Sequence, residues 1–193
     1  MKWGDKMKIG VDCDNVLNNL TESVLEIYNS DHSDTLTTND ITKYFVEHFI
    51  KDEVKDNFHE YFVDKRVWKN IKVLDGAVKT LKKYHDLGHE IFIITATRPE
   101  NIPKKARWIA KNFPFLDVNK TLILLNRKQL LSGNIDVLID DCLDNLVYGD
   151  YERIVFDYPW NKEDILLSEH RCKNWNEIDK TLDKIMRLKE CDL

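Results

Sequence analysis

Lys8-Ile9-Gly10-Val11-Asp12-Cys13-Asp14-Asn15-Val16 is an apolar run that turns abruptly acidic. Ile9 and Val11 are β-branched, and the run lacks the polar alternation of a half-exposed strand, so it reads as a strand buried on both faces. Where that strand gives out, two carboxylates, Asp12 and Asp14, stand two residues apart. Four further runs have the same character: Ile91-Phe92-Ile93-Ile94, Leu122-Ile123-Leu124-Leu125, Val137-Leu138-Ile139 and Ile154-Val155-Phe156. Between the later runs the signals are helical. Asp75 is placed to cap a helix from Gly76 to about Leu87, closed by Gly88. Pro103 suits the first turn of a helix reaching about Asn112, with Asn101 or Ile102 as its cap. Asn174 to Glu190 completes the pattern as a last amphipathic helix. Strand alternating with helix implies right-handed crossovers and a parallel sheet, hence a doubly wound three-layer α/β domain.

The first connection breaks the alternation. From Asn18 to Lys72 there is no strand signal, but amphipathic stretches near 20–30, 38–50 and 52–62 read as helices. A crossover of that length is too long to be simple. The expected division is therefore a core of residues 1–17 and 73–193, with residues 18–72 inserted as a small helical cap.

Composition narrows the function. A chain of 193 residues, 42% hydrophobic, holds one substantial core rather than two. No run approaches the roughly 20 apolar residues of a membrane helix, and Met1-Lys2-Trp3-Gly4-Asp5-Lys6 has no apolar signal-peptide core, so no membrane partner and a cytoplasmic location are expected. Cys13, Cys142, Cys172 and Cys191 show no paired spacing, which argues against a disulfide framework or a zinc knuckle. With 29 Lys+Arg against 34 Asp+Glu the chain is mildly acidic, and no basic stripe suggests a nucleic-acid polymer as partner.

In an open α/β sheet, ligands bind beyond the carboxyl ends of the strands. The residues gathered there are Asp12 and Asp14, Thr95, Asp140 and Asp141, with Arg127 and Lys128 in the loop after the third strand. Crowded carboxylates repel one another, and a divalent cation is the natural compensation. An all-oxygen donor set favours Mg2+ over zinc. Taken alone, Asp12 and Asp14 are equally good turn formers, and Asp140-Asp141 could cap a helix from about Leu143.

Asp12-x-Asp14-x-Val16, a strand ending in Thr95, Lys128, and Ile139-Asp140-Asp141, in that order and each behind an apolar strand, resemble the four motifs of the haloacid dehalogenase (HAD) superfamily of phosphatases. The resemblance spans about residues 8 to 145. It implies that Asp12 is the nucleophile that forms an aspartyl-phosphate, and that Asp14 is the general acid and base. It also implies that Thr95 and Lys128 bind the phosphoryl oxygens. Asp12, the backbone carbonyl of Asp14, and Asp140 would hold Mg2+, with Asp141, Asp144 and Asn145 as candidates for an outer metal shell. The helical insertion is similar to that of the 5′(3′)-deoxyribonucleotidases and their bacterial relatives, which implies a small-molecule phosphate ester as substrate, a nucleoside monophosphate. Those relatives more often carry Gly where this chain has Asn15, a residue that tolerates the left-handed conformation, and a Thr-Ser-Pro-like segment where it has Thr95-Ala96-Thr97-Arg98.

The insertion is rich in aromatics: Tyr28, Tyr44, Phe45, Phe49, Phe58, Tyr61, Phe62 and Trp68. Most are expected to form its own core. A nucleobase needs a stacking face, and Phe45 and Trp68 are the expected substrate contacts. Cys13 is read as a small buried hydrophobe rather than a nucleophile. The histidines show no converging spacing. Two competing functions are action on a sugar phosphate and a binding module without turnover; the presence of both Asp12 and Asp14 speaks against the second.

Overall fold

The computed structural model describes residues 6–162 and 170–191. The β-branched runs form the strands β1 (Lys8–Val11), β2 (Glu90–Thr95), β3 (Leu122–Leu124), β4 (Val137–Asp140), β5 (Glu152–Phe156) and β6 (Arg171–Cys172). All five pairings are parallel, in the order β3-β2-β1-β4-β5-β6. The chain winds outward from β1 to one side through β2 and β3, then returns to β4 and winds to the other. The switch point lies between β1 and β4, where open α/β sheets form their ligand crevice.

Period two along each strand divides the core. Ile9, Val11, Ile91, Ile93, Val137, Ile139, Ile154 and Phe156 join a layer completed by helices α1 (Leu20–His32), α3 (Ala77–Asp86), α4 (Ile102–Asn112) and α7 (Trp175–Cys191). Ile94, Leu138 and Val155 belong to a second layer, with Leu146 of α6 (Leu143–Val147) and Tyr151. Among the described residues there are also two short α-helices, α2 (Lys65–Asn70) and α5 (Val118–Thr121).

Several sequence expectations need correction. A sixth strand, Arg171–Cys172, had no apolar run to reveal it. The third strand is an edge, ends at Leu124 and leaves that residue exposed, so it is not buried on both faces. Asp75 does not cap α3. The N-cap is Gly76 at φ 87°, and an added Cβ there would lie 2.9 Å from the Cβ of Trp175, so both the backbone angle and the close approach of α7 require glycine. Asn101 does sit at the N-cap of α4, without a side-chain cap bond. Cys142, not Asp140 or Asp141, occupies the N-cap of α6.

In the insertion, α1 covers the expected 20–30 helix, but 38–50 contains only a 3-10 turn at Val46–His48, and Asp52–Val63 is 3-10 rather than α. Thr37 and Asp40 explain part of this: the Thr37 amide and hydroxyl both donate to the Asp40 carboxylate (2.8 and 2.7 Å), a local turn that competes with helix. Tyr28, Phe58, Tyr61 and Phe62 pack edge-on or tilted, with centroids 5.6–6.2 Å apart. These aromatics form core, as expected for most of the eight.

Candidate active site

The three central strands bring their carboxyl ends together. Asp12 follows β1 and stays in register through its N–H, which donates to the Ile139 carbonyl at 2.9 Å. Thr95 ends β2 and Asp140 ends β4. Asn15 turns the chain away at φ 60°, the left-handed conformation that Asn accepts. Its side-chain oxygen accepts the Thr21 N–H at 3.0 Å, which fixes the entry into α1. The Trp175 indole N–H donates to the Val16 carbonyl at 2.9 Å and pins the same loop from α7.

One carboxylate oxygen each from Asp12, Asp140 and Asp141 lies within 4.8 Å of the others, and all three residues are buried. Lys128, 1% exposed, donates to both Asp12 and Asp140, the latter at 2.6 Å. Burial first, then the charges of Asp140 and Asp14, push the Asp12 pKa up to about 7 against the pull of Lys128. Burial first, with Asp140 and Asp12 next, also pushes Asp141 well above the carboxylate range. Burial alone would lower the Lys128 pKa; Asp12 and Asp140 outweigh it and hold the ammonium charged.

A second ammonium, missed in the sequence, completes the site. Lys105 of α4 is 1% exposed and donates to Asp14 Oδ2 at 2.5 Å, Thr95 Oγ1 at 2.6 Å and the Ala96 carbonyl at 3.2 Å. Burial opposes its charge, but Asp14 first among the neighbouring groups raises its pKa. The signal was there: Asn101, Lys105, Trp108 and Ile109 are the buried side of α4, so a lysine stands on the stripe where an amphipathic helix places apolar residues.

The other expected residues divide. Asn145 donates to Asp140 Oδ2 at 3.1 Å and so reaches the cluster. Asp144 does not; it is exposed at the start of α6 and lies outside the carboxylate group. Arg127 is also exposed. Cys13 is fully buried, and burial pushes its thiol pKa well up, as befits an inert small hydrophobe. Phe45 is 65% exposed and meets Tyr44 edge-on at 5.7 Å. Tyr44 is 51% exposed, and burial first, then the charges on Asp141, Cys142, Asp12 and Asp140, raise its pKa. Trp68 is partly buried, with its indole N–H committed to the Phe62 carbonyl at 3.0 Å.

Four aspartates (Asp12, Asp14, Asp140, Asp141) thus meet two ammoniums (Lys105, Lys128) in an all-oxygen setting. This donor set fits a hard divalent cation. No described helix is long and apolar enough to cross a membrane.

The chain is similar to several known proteins. A 5′(3′)-deoxyribonucleotidase of Clostridium acetobutylicum is 28% identical over 173 residues, covering 90% of this chain and 93% of the relative. One of Bacillus subtilis strain 168 is 25% identical over 179 residues, covering 92% and 99%. Among solved structures, a HAD family hydrolase from Deinococcus radiodurans R1, determined with bound phosphate and sodium, superposes with a TM-score of 0.66 at 12% identity, covering 94% of this chain and 97% of that one. The description "5′ nucleotidase, deoxy (Pyrimidine), cytosolic type C protein" matches residues 6–190, and the chain belongs to that family, as a phosphoric monoester hydrolase of the 5′-nucleotidase type on a HAD fold.

Proposed function

We propose that the chain is a Mg2+-dependent phosphatase that hydrolyses nucleoside monophosphates, deoxyribonucleotides foremost, through an aspartyl-phosphate on Asp12. The observation that carries this reading is the pairing of two aspartates in different surroundings: Asp12 in the buried carboxylate cluster with Lys128, and Asp14 held apart by Lys105. Opposed environments for two neighbouring carboxylates suit them to separate roles.

Asp12, the backbone carbonyl of Asp14, and Asp140 would hold Mg2+. When bound, the cation supplies positive charge that keeps Asp12 ionised and offsets the phosphoryl oxygens. The Asp12 carboxylate attacks phosphorus, forming a new O–P bond as the ester O–P bond breaks. Asp14, entering the step protonated, delivers that proton to the leaving alkoxide, then takes one from the water that attacks phosphorus, and the Asp12–phosphorus bond breaks to release phosphate. Lys128 and the Thr95 hydroxyl would donate to the phosphoryl oxygens. Lys105 orients Asp14 and Thr95 together, since its one ammonium bonds both.

The division of labour in the chain follows. Residues 1–17 and 73–193 carry the phosphoryl chemistry, and residues 18–72 act as a cap that meets the rest of the substrate. The exposed Tyr44–Phe45 pair supplies an aromatic face at the site's edge, with Trp68 as a further contact. The names of the two relatives support the deoxyribonucleotide preference. A phosphate-release screen over ribo- and deoxyribonucleoside monophosphates and sugar phosphates, with Mg2+, tests the reading. Deoxyribonucleotides should have the highest kcat/KM; faster turnover of sugar phosphates would remove the nucleotide part and leave a general phosphatase.

A further inference from the structure

Asp141 is held differently from its neighbours. Asp12 and Asp140 each accept from the Lys128 ammonium. Asp141 accepts from two neutral donors, Trp160 Nε1 at 3.1 Å and Asn15 Nδ2 at 3.3 Å. Both reach the same oxygen, Oδ2, and among the described residues no hydrogen bond goes to Oδ1. Neither donor carries a charge, and the Lys128 ammonium bonds Asp12 and Asp140 instead.

Trp160 itself is firmly placed. Its ring stacks on Tyr158 with centroids 4.1 Å apart and planes 7° from parallel, and Tyr158 stacks on Phe156 at 5.4 Å, at the end of β5. The 3-10 turn Pro159–Asn161 follows, and the Asn161 amide donates to both the Asp141 and Phe156 carbonyls at 2.8 Å. Arg171 in β6 holds this turn by donating to Asn161 Oδ1 at 2.7 Å and to its carbonyl at 2.8 Å. The turn therefore grips Asp141 by its backbone through Asn161 and by its side chain through Trp160. An indole N–H can only donate, so the contact cannot invert as an amide can.

We infer that Trp160 is a positioning residue for the cation site: its indole N–H fixes Asp141 by Oδ2 and leaves Oδ1 as the oxygen that serves the cation bound with Asp12 and Asp140. This rests on the Mg2+ reading proposed above. Partners that orient a ligating group set metal affinity, and their loss costs about 10–100-fold. Trp160→Phe keeps the stacked ring and removes the N–H.

The test is Mg2+ binding by calorimetry, without substrate, for the unaltered protein, Trp160→Phe, Asp141→Asn and the double variant. Trp160→Phe should weaken the Kd by about 10–100-fold, with near-UV circular dichroism unchanged, and should add nothing to Asp141→Asn, since the indole then has no carboxylate to aim. At saturating Mg2+ its kcat should return toward that of the unaltered protein. Equal Kd values for Trp160→Phe and the unaltered protein would overturn the inference, as would full additivity with Asp141→Asn. An unaltered protein that binds no Mg2+ would instead overturn the Mg2+ reading. If Trp160→Phe does not fold, NMR of the indole N–H signals in the unaltered protein decides: the Trp160 signal should move when Mg2+ is added, and a stationary signal rejects the role.

Discussion

Replacing Lys105 by methionine keeps the aliphatic stem and removes the ammonium, so it isolates the charge. In the folded protein that ammonium is 1% exposed and bonds Asp14, Thr95 and Ala96. Removing one partner of a buried ion pair costs about 3–5 kcal/mol, because the remaining charge is left uncompensated. Asp14 keeps 21% side-chain exposure and one further donor, Asn18 Nδ2 at 3.2 Å, so water and the amide recover part of the loss. That places the cost at the lower end, about 3 kcal/mol. For a chain of this size it corresponds to a fall in Tm of roughly 6–12 °C. Turnover should suffer as well, since a misplaced general acid forfeits about 10²–10⁴ in rate. Thermal unfolding of Lys105→Met, Asp14→Asn and the pair, with phosphate release from a deoxyribonucleoside monophosphate, measures both. The losses should be less than additive in the pair, by about 0.5–3 kcal/mol. A Tm within about 2 °C of the unaltered protein, or strict additivity with Asp14→Asn, would refute the view that Lys105 balances Asp14.

Three other outcomes are expected. Chelation by EDTA should stop turnover, and Ca2+ should inhibit by engaging both oxygens of Asp12 with its larger shell; full activity in excess EDTA would count against the cation. Phe45→Ala or Tyr44→Phe/Phe45→Ala should lower kcat/KM for a nucleoside monophosphate by roughly ten- to a hundredfold, the worth of about 1–3 kcal/mol of base stacking, and barely change p-nitrophenyl phosphate hydrolysis, and Trp68→Ala tests the second contact in the same assay; equal losses on both substrates would assign the rings to packing. His89 Nδ1 accepts the Met7 N–H at 3.1 Å, and burial holds its pKa below the ordinary 6.5, so the unfolded chain binds the proton first and stability falls as pH drops below 6.5. His89→Gln, which retains an acceptor, should flatten the fall of Tm with acid relative to the unaltered protein; an unchanged slope would contradict this.

How much of this the sequence revealed depends on the range of each interaction. Asp12, Thr95 and Asp140 were legible because each ends an apolar strand, and parallel pairing aligns strand ends automatically. Asn15 was legible because backbone preference is local, and its φ is positive. Lys128 needed the motif order, since a lone lysine in a loop carries no signal. Lys105 was overlooked because its meaning depends on α4 docking against the turn after β1, a contact 91 residues apart in sequence. Trp160 was invisible for the same reason, acting on Asp141 across 19 residues and a whole strand. Asp144 was expected near the cation, but the rotation of α6 turns it to solvent, and helix phase is set by Leu143, Leu146 and Val147 meeting the sheet. The 38–50 segment misled because its apolar spacing imitates a helix while the Thr37–Asp40 turn redirects the chain.

The most direct test of the account is mass spectrometry of the enzyme quenched in acid during turnover of a deoxyribonucleoside monophosphate, with Asp12→Asn alongside. An amide is nearly the same shape as the carboxylate but a poor nucleophile. The account predicts a phosphoryl group on the peptide that contains Asp12, accumulating further in Asp14→Asn when the leaving group is good, and neither adduct nor turnover in Asp12→Asn. Sustained turnover by Asp12→Asn, or a phosphoryl group found on any other residue, would contradict it.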